Sequence, residues 1–531
     1  MANLSPEQCP IESVTGDKLP VGQAQYDVIL VSNLRSIRAT TLLRLQRFRE
    51  RGGALYFVGE TPTVVDAHAS DDVHLWLQKD TDLAIPFARR SVLNVLEAYR
   101  EIRATSSRGH MTRNLLHQIR DDNDERFIFV CNVDRSMHGK LEYPDLYQRL
   151  NNCDVSFRGK WFVTLLDSLS GSEFSLDSVT TNGWTTISFA FPSAGSAVFH
   201  LTKTFKPKQK FRQSRLRYIR ECSGPNSFKL SEPNVLLLDQ ARFRLANENW
   251  QGPEEILRID NLLRDKLGLT SRAAAFAQAW TDKFTGRRKL TNVVELVFRF
   301  RTRVAVSNAF LALENAPETA IYLDDTHVPS DVSGYWVDEA IEKVSLPSFG
   351  VGKHEILLKL PFGLRTNLER VYILGDFGVE VRGRSGEIIA MGESLTWGDW
   401  THMGLPFYAG NVSYSFPFQV DIQEDTIIQV PHFKAPLLKV AVDGKEMGRI
   451  AFPPYQLNLG KLVPGEHVAT IEAFGNRQNA FGAIHLANTE FKSFGPEAWR
   501  TNGYDWSYEY VLESMGILAA PSIFHDQEDL L

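Results

Sequence analysis

From residue 293 onward the chain is a series of short apolar runs, each closed by turn residues, with no helical segments alternating between them. Residues 293–300 (VVELVFRF), 310–314 (FLALE), 320–323 (AIYL), 354–360 (HEILLKL), 370–374 (RVYIL), 426–430 (TIIQV), 437–442 (LLKVAV) and 467–474 (HVATIEAF) carry the pattern. Short runs rich in branched and aromatic residues read as strands, and strands that follow one another without crossover helices pair antiparallel. Asp324-Asp325 supplies a hairpin turn between two of them, and 348–352 (SFGVG) supplies the turn that the strand at 354 needs. The pattern predicts a jelly-roll sandwich, whose loops gather at its ends, where binding residues concentrate.

The earlier part of the chain reads differently. Residues 26–32 (YDVILVS) form a continuous apolar strand of the kind buried on both faces of a parallel sheet. A helix over 39–51 follows, with Leu42, Leu45 and Phe48 on one stripe, and Gly52-Gly53 ends it. Residues 54–59 (ALYFVG) are the second strand, and 91–102 (SVLNVLEAYREI) another helix. Strand, helix and strand make a βαβ unit in a small α/β layer, with the turn GETP at the sheet's carboxyl edge. That turn has neither a dinucleotide nor a P-loop glycine pattern. Near Arg126 the period changes to short strands, 127–132, 161–166, 185–191 and 196–201, which predict a small antiparallel β-sandwich over 122–203. The basic run 203–220 reads as a solvated linker. Residues 235–238 open a new strand, and Pro253 opens a helix with Glu254 and Glu255 at the positive end of its dipole. That pair of acids reads as a helix-start feature more readily than as an acid/base pair.

A chain of 531 residues holds two to four such units. Its net charge of −6 and pI near 6.2 give no basic footprint, which argues against nucleic acid as a partner. Its longest apolar runs fall far short of a bilayer span, and residues 1–20 have no basic start followed by an apolar stretch. The expectation is no membrane partner and a cytoplasmic location for the chain as given, or an extracellular one if it is part of a larger secreted enzyme. Cys9, Cys131, Cys153 and Cys222 form no CxxC pair, and the histidines form no HExxH, so no metal site is expected. A structural calcium is compatible with a sandwich, although no DxDxDG-like loop argues for one.

One stretch carries most of the candidate chemistry. Over 368–416, Trp397, Trp400, Phe407, Tyr408 and Tyr414 crowd around two acids, Asp376 and Asp399. Aromatic faces beside fixed polar groups suit sugar rings, and they equally fill sandwich cores. The candidate carbohydrate-binding residues are Asp376, Trp397, Asp399, Trp400, Tyr408, Asn411, Asn476 and Arg477. Each also has a plain structural reading, as a turn former, a loop-fixing amide or a core aromatic.

Several long words of the sequence resemble the α-L-rhamnosidase-like glycoside hydrolases of family 106 and their relatives. They are 235–239 (VLLLD), 250–264 (WQGPEEILRIDNLLR), 312–315 (ALEN), 371–379 (VYILGDFGV), 398–410 (GDWTHMGLPFYAG), 475–482 (GNRQNAFG), 499–510 (WRTNGYDWSYEY) and 516–521 (GILAAP). The likeness spans about 230–521, with a weaker one over 26–201. It implies a multidomain, mainly β chain. An α/β domain of flavodoxin- or amidotransferase-like kind covers 1–121, the small sandwich 122–203, and a linker with its strand and helix 204–292. A galactose-binding-like jelly roll then covers 293–521, and 522–531 is a tail. It also implies that the catalytic carboxylates lie on a (β/α)₈ barrel preceding these domains. No eightfold β–α series exists in this sequence, so the family's acid and base are carried onto no residue here. The leading expectation is a non-catalytic carbohydrate-binding and structural portion of a glycosidase, acting on plant or microbial glycans beside a catalytic barrel and needing no cofactor. The alternatives are a complete glycosidase using the sandwich-loop acids on rhamnose- or galactose-containing glycans, and a scaffold without sugar binding.

Overall fold

The structure is a computed structural model that describes residues 14–106, 109–112, 114–133, 151–168, 170–192, 195–212, 216–271, 292–363, 366–488 and 495–526. Cys9 and residues 527–531 of the expected tail lie outside the described residues. The architecture is mainly β, in antiparallel sheets, behind a small α/β layer. Among the described residues no helix is long and apolar enough to cross a membrane.

In the α/β layer, Val28–Ser32, Ala54–Val58 and Ala84–Ile85 lie side by side in parallel. The helix Ala39–Glu50 buries Leu42, Leu45 and Phe48. It turns back at Gly53, whose missing side chain leaves room for the Phe48 ring. Val28–Ser32 was expected to be buried on both faces. It is instead an edge strand, and Leu30 remains 37% exposed.

The small sandwich contains all four expected strands, and it begins earlier than residue 122. Ile102–Ser106 pairs with Asn151–Arg158, and Leu115–Asp122 pairs with Glu125–Asn132. Isolated short strands such as Ile102–Ser106 have no periodicity of their own long enough to be read before their partners are known. The two sheets close over Ile128, Val155, Phe157, Ile187, Phe191, Phe199 and Leu201.

Beyond residue 215 the single expected sandwich is two. In the inner one, Asn234–Leu238, Val371–Gly375, Phe310–Glu314 and Asp338–Ser345 form one sheet in that order, which Val332–Trp336 extends at its edge. Gln240–Leu245, Asn292–Thr302, Gly352–Phe362, Ala320–Leu323 and Thr326–Val328 run across the other. In the outer one, Leu216–Glu221, Ser522–Asp526, Asp425–Gln429 and Gln456–Lys461 form one sheet. Ser227–Leu230, Val412–Val420, Gly465–Ala473, Leu438–Val442 and Lys445–Ile450 form its partner. With Val332–Trp336 and the short inserted strands left uncounted, the nine other strands of each sandwich, numbered along the chain, have the same topology. The first, ninth, fourth and seventh strands face the second, third, eighth, fifth and sixth.

The inner sandwich is threaded between the second and third strands of the outer one, so each keeps its own apolar centre. In the inner sandwich Asn234–Leu238 and Val371–Gly375 are buried at every position, whereas alternation builds the outer centre. Val412, Tyr414, Phe416, Phe418 and Val420 point inward from one strand while their neighbours stay partly exposed. Each such side chain, taken fully out of water, contributes about 1.5–3 kcal/mol.

The basic run is not a free linker, because Gln209–Lys210 pairs with Glu173–Ser175 and Leu216–Glu221 is a sandwich strand. The stretch called a tail contains Ser522–Asp526, which is paired on both sides.

Candidate functional site

In the inner sandwich, the gap between second and third strands holds a short strand, Gln251–Glu255, and a helix, Ile256–Lys266. Pro253 lies in the strand, not in the helix. The helix starts three residues later, at Ile256, where the Glu255 carboxylate accepts hydrogen bonds from the backbone N–H groups of Leu257 and Arg258 at 3.1 Å each. Its apolar stripe, with Ile256, Ile259 and Leu263, is buried against the sandwich. Asp260 and Arg264 on that stripe pair at 2.7 Å, out of contact with water.

The opposite face of the helix looks onto a cleft of about 400 Å³. Glu254, Arg258, Asn261 and Asp265 line one wall, and Trp499, Arg500 and Asn502 line the other. The second wall belongs to a C-terminal arm, described over residues 477–488 and 495–512, whose Ala480, Ile484, Trp499 and Tyr510 pack on the inner sandwich. Trp499 is fixed by its indole N–H, which donates to the carbonyl of Phe481 at 3.0 Å. Arg258 bridges the walls. It donates to the Thr501 carbonyl at 2.9 Å, and its guanidinium sits 3.9 Å from the centre of the Trp506 ring. Tyr508 donates to Glu254 at 2.9 Å, and the carboxylate it serves, after burial, holds the phenol above its ordinary range.

Behind the cleft lies a buried polar knot. Asp239, fully buried at the end of the Asn234–Leu238 strand, accepts from the Tyr510 hydroxyl at 2.8 Å through one oxygen. Its other oxygen lies 2.8 Å from His485 Nε2. Glu255, also buried, has its carboxyl pushed up to about 7, first by burial and then by the charge of Asp239. Burial and the same charge hold the Tyr510 hydroxyl well above its ordinary range. Arg370 offsets these negative charges and donates to the carbonyls of Ala480 and Gly482 at 3.3 and 2.9 Å. Both of those carbonyls are on the arm.

The residues singled out from sequence fall into three places. Tyr408, Asn411, Asn476 and Arg477 gather where the two sandwiches meet. There Arg477 donates to Glu232 at 2.5 Å, Tyr408 donates to the Asn411 carbonyl at 2.9 Å, and Asn411 donates to Glu472 at 3.0 Å. Asn476 accepts from the backbone N–H of Gln478 at 3.0 Å, fixing its own loop. Trp397, Asp399 and Trp400 belong to the outer sandwich. Trp397 donates to the Ser223 carbonyl at 3.0 Å and packs on Phe416. Trp400 is 1% exposed and has no free face for a sugar. Asp399 accepts from the Thr401 N–H and hydroxyl and from the Met515 N–H through one oxygen, at 2.9, 2.8 and 3.1 Å. Asp376 is exposed, on the turn after Val371–Gly375. Asp399 and Asp376 therefore sit in different settings, one capping a short helix and the other on an open turn.

Sequence reasoning passed over Asp239, His485, Trp499, Asn502 and Tyr510. Their only signal was position, since all but His485 sit inside the long words that resemble rhamnosidases.

No protein-family model matches this sequence, and neither does any curated protein. Among solved structures, the chain is similar to a rhamnosidase from Novosphingobium sp. PP1Y, at 10% identity and a TM-score of 0.41. That alignment covers 96% of this chain and 34% of the rhamnosidase, so the chain spans about a third of that protein's length. It is also similar, at a TM-score of 0.14, to an anti-sigma factor domain-containing protein (9% identity, covering 45% of this chain and 90% of that one). A GH31 α-xylosidase from Xanthomonas citri matches at 10% identity with the same TM-score, covering 52% of this chain and 32% of that one. Scores this low do not establish a shared fold.

Proposed function

We propose that this chain is a non-catalytic, carbohydrate-binding and framing portion of an α-L-rhamnosidase-like glycoside hydrolase. We further propose that it holds glycan in the cleft between the Ile256–Lys266 helix and residues 499–502. The cleft's composition carries the reading. A sugar presents hydroxyls that need fixed partners and a C–H face that needs an apolar or aromatic neighbour. Glu254, Asp265, Asn261 and Asn502 supply the first requirement, and Trp499 and Leu262 the second, in a volume the size of a small ligand site.

Spacing favours binding over hydrolysis. A glycosidase pair needs carboxyl groups roughly 5–10 Å apart. Glu254 precedes the helix and Asp265 stands near its end, so at about 1.5 Å of rise per residue their backbones are roughly 15 Å apart. Glu254 is also held in place by Tyr508. Asp399, the most embedded acid of the sandwich loops, already accepts three hydrogen bonds through one oxygen. A catalytic barrel, which the sequence resemblance implies for the family, would do the cutting.

Calorimetry against rhamnose- and galactose-containing oligosaccharides tests the proposal. Saturable binding that is weakened at least tenfold by Asn502→Ala or Asp265→Ala is expected, with no turnover of aryl rhamnosides. Flat calorimetry, or binding indifferent to both substitutions, would remove the cleft from consideration.

A further inference from the structure

The cleft's outer wall is attached to the rest of the molecule through groups that can gain and lose protons. His485 is 3% exposed, and each of its ring nitrogens faces an acceptor. Nδ1 lies 2.7 Å from the Ser507 carbonyl, and Nε2 lies 2.8 Å from Asp239. Both contacts are hydrogen bonds only if the His485–Asp239 pair holds one extra proton, on the ring or on the carboxyl. Without it, two electron-rich atoms meet in a dry site.

Glu255, at the near end of the cleft helix, faces the same carboxylate and leans the same way. Arg370 is the cation of the knot, and Tyr372 and Tyr510 are its phenols. From the knot a run of contacts leads to the cleft. The His485 ring stacks on Trp506 at 4.8 Å, Trp506 lies under the Arg258 guanidinium, and Arg258 lines the cleft and holds Thr501.

We propose that this knot is a proton-held latch. On its protonated side the arm is seated and the cleft formed, and on its deprotonated side the arm loosens and the cleft loses its Trp499–Asn502 wall. The effect on glycan binding rests on the reading of the cleft given above, whereas the loosening of the arm does not.

Hydrogen exchange of the ligand-free chain tests the latch directly. The reporters are the amides of Ala487, Ser507 and Val511, which donate to the carbonyls of Asp505, His485 and Ile484 within the arm. After correction for the chemical exchange rate, their protection should fall about tenfold between pH 6 and pH 8, the span over which a carboxyl like Glu255 gives up its proton. In Glu255→Gln, which keeps an acceptor for the helix cap but cannot ionise, that fall should shrink. Affinity for a rhamnose- and galactose-containing oligosaccharide should decline in step with protection.

Protection that does not change with pH overturns the latch, and this measurement on the unaltered chain holds even if the variant fails to fold. Falling protection with unchanged affinity overturns its control of the cleft. Absence of binding at both pH values sinks the glycan reading alone, while falling protection still supports the latch.

Discussion

His354 Nδ1 lies 2.6 Å from Asp324, and the other ring nitrogen lies 2.8 Å from the carbonyl of Gly350. The second oxygen of Asp324 accepts from the N–H of Glu355, so one histidine and one turn aspartate close a hairpin onto the neighbouring strand. The outer sandwich repeats the device. His467 stands 2.6 Å from Asp443 and 2.7 Å from the Val463 carbonyl, and Asp443 accepts from the N–H of Val468. Even the tilted aromatic neighbour is repeated, Phe300 for His354 and Phe418 for His467.

That clasp makes the outer sandwich pH-dependent. The Val463 carbonyl and then Asp443 raise the His467 ring above its ordinary value. A raised histidine stabilises the fold fully below its unfolded value near 6.5, and the gain is lost as pH climbs through the folded value. Asp443 is half exposed, so the gain is about 0.5–1 kcal/mol. Urea midpoints for the outer sandwich should fall between pH 6 and pH 9 in the parent chain. His467→Gln should lower the midpoint at pH 6 and flatten the dependence.

The ion pair between Asp260 and Arg264 has no access to water. Arg264 also donates to the Thr366 carbonyl at 2.6 Å, and Asp260 accepts from the Leu368 N–H at 3.3 Å. Asp260→Ala leaves a guanidinium buried without its counter-charge and should cost about 3–5 kcal/mol. Denaturant unfolding followed through the inner sandwich measures it. A loss under 1 kcal/mol would mean that water reaches the site.

Arg477 and Glu232 tie the inner sandwich's arm to the bend after Ser227–Leu230, where the chain leaves the outer sandwich. Their side chains are 37% and 18% exposed. Arg477→Ala should therefore lower stability by about 1 kcal/mol and leave oligosaccharide affinity within twofold of the parent. A large drop in affinity at unchanged stability would return this residue to the binding role its sequence context suggested.

Ile523 is 1% exposed, in the strand that Leu216–Glu221 and Asp425–Gln429 flank. Ile523→Asp buries a charge there and should unfold the outer sandwich while the inner one persists, since the two have separate apolar centres. Limited proteolysis should then leave Asn234–Leu238, Asn292–Thr302, Phe310–Glu314 and Gly352–Phe362 protected. Cooperative loss of both would show that neither stands without the other.

Much of the fold was legible strand by strand. The runs at 293–300, 354–360, 437–442 and 467–474 fall on strands whose burial largely alternates, and that at 426–430 on one with three consecutive buried residues, both strong local marks. The Asp324-Asp325 turn was legible too. Both residues take positive φ, 48° and 63°, as a two-residue hairpin turn requires. Which strands belong together was not legible. Leu216 pairs with Asp526, and no local pattern announces a partner that far away. The repeat of topology escaped notice for the same reason, since it lies in strand order and not in matching residues.

The cleft was half legible. The adjacent acids Glu254 and Glu255 were read as a helix-start feature, and Glu255 does cap the helix. The knot behind them joins Asp239 to residues 246 and 271 positions away. Only the folded chain shows that a lone histidine and an aromatic-rich segment converge on one carboxylate.

The nesting of one sandwich within another sets a timetable for synthesis. The ribosome makes Leu216–Glu221 and Ser227–Leu230 before the strands of the inner sandwich, and only after those their remaining neighbours. At about 5–20 residues per second, the opening strand waits roughly 15–60 s for Ser522–Asp526 to emerge. During that interval its edges are bare, and the nascent outer unit is the part of this molecule that a chaperone has most reason to meet.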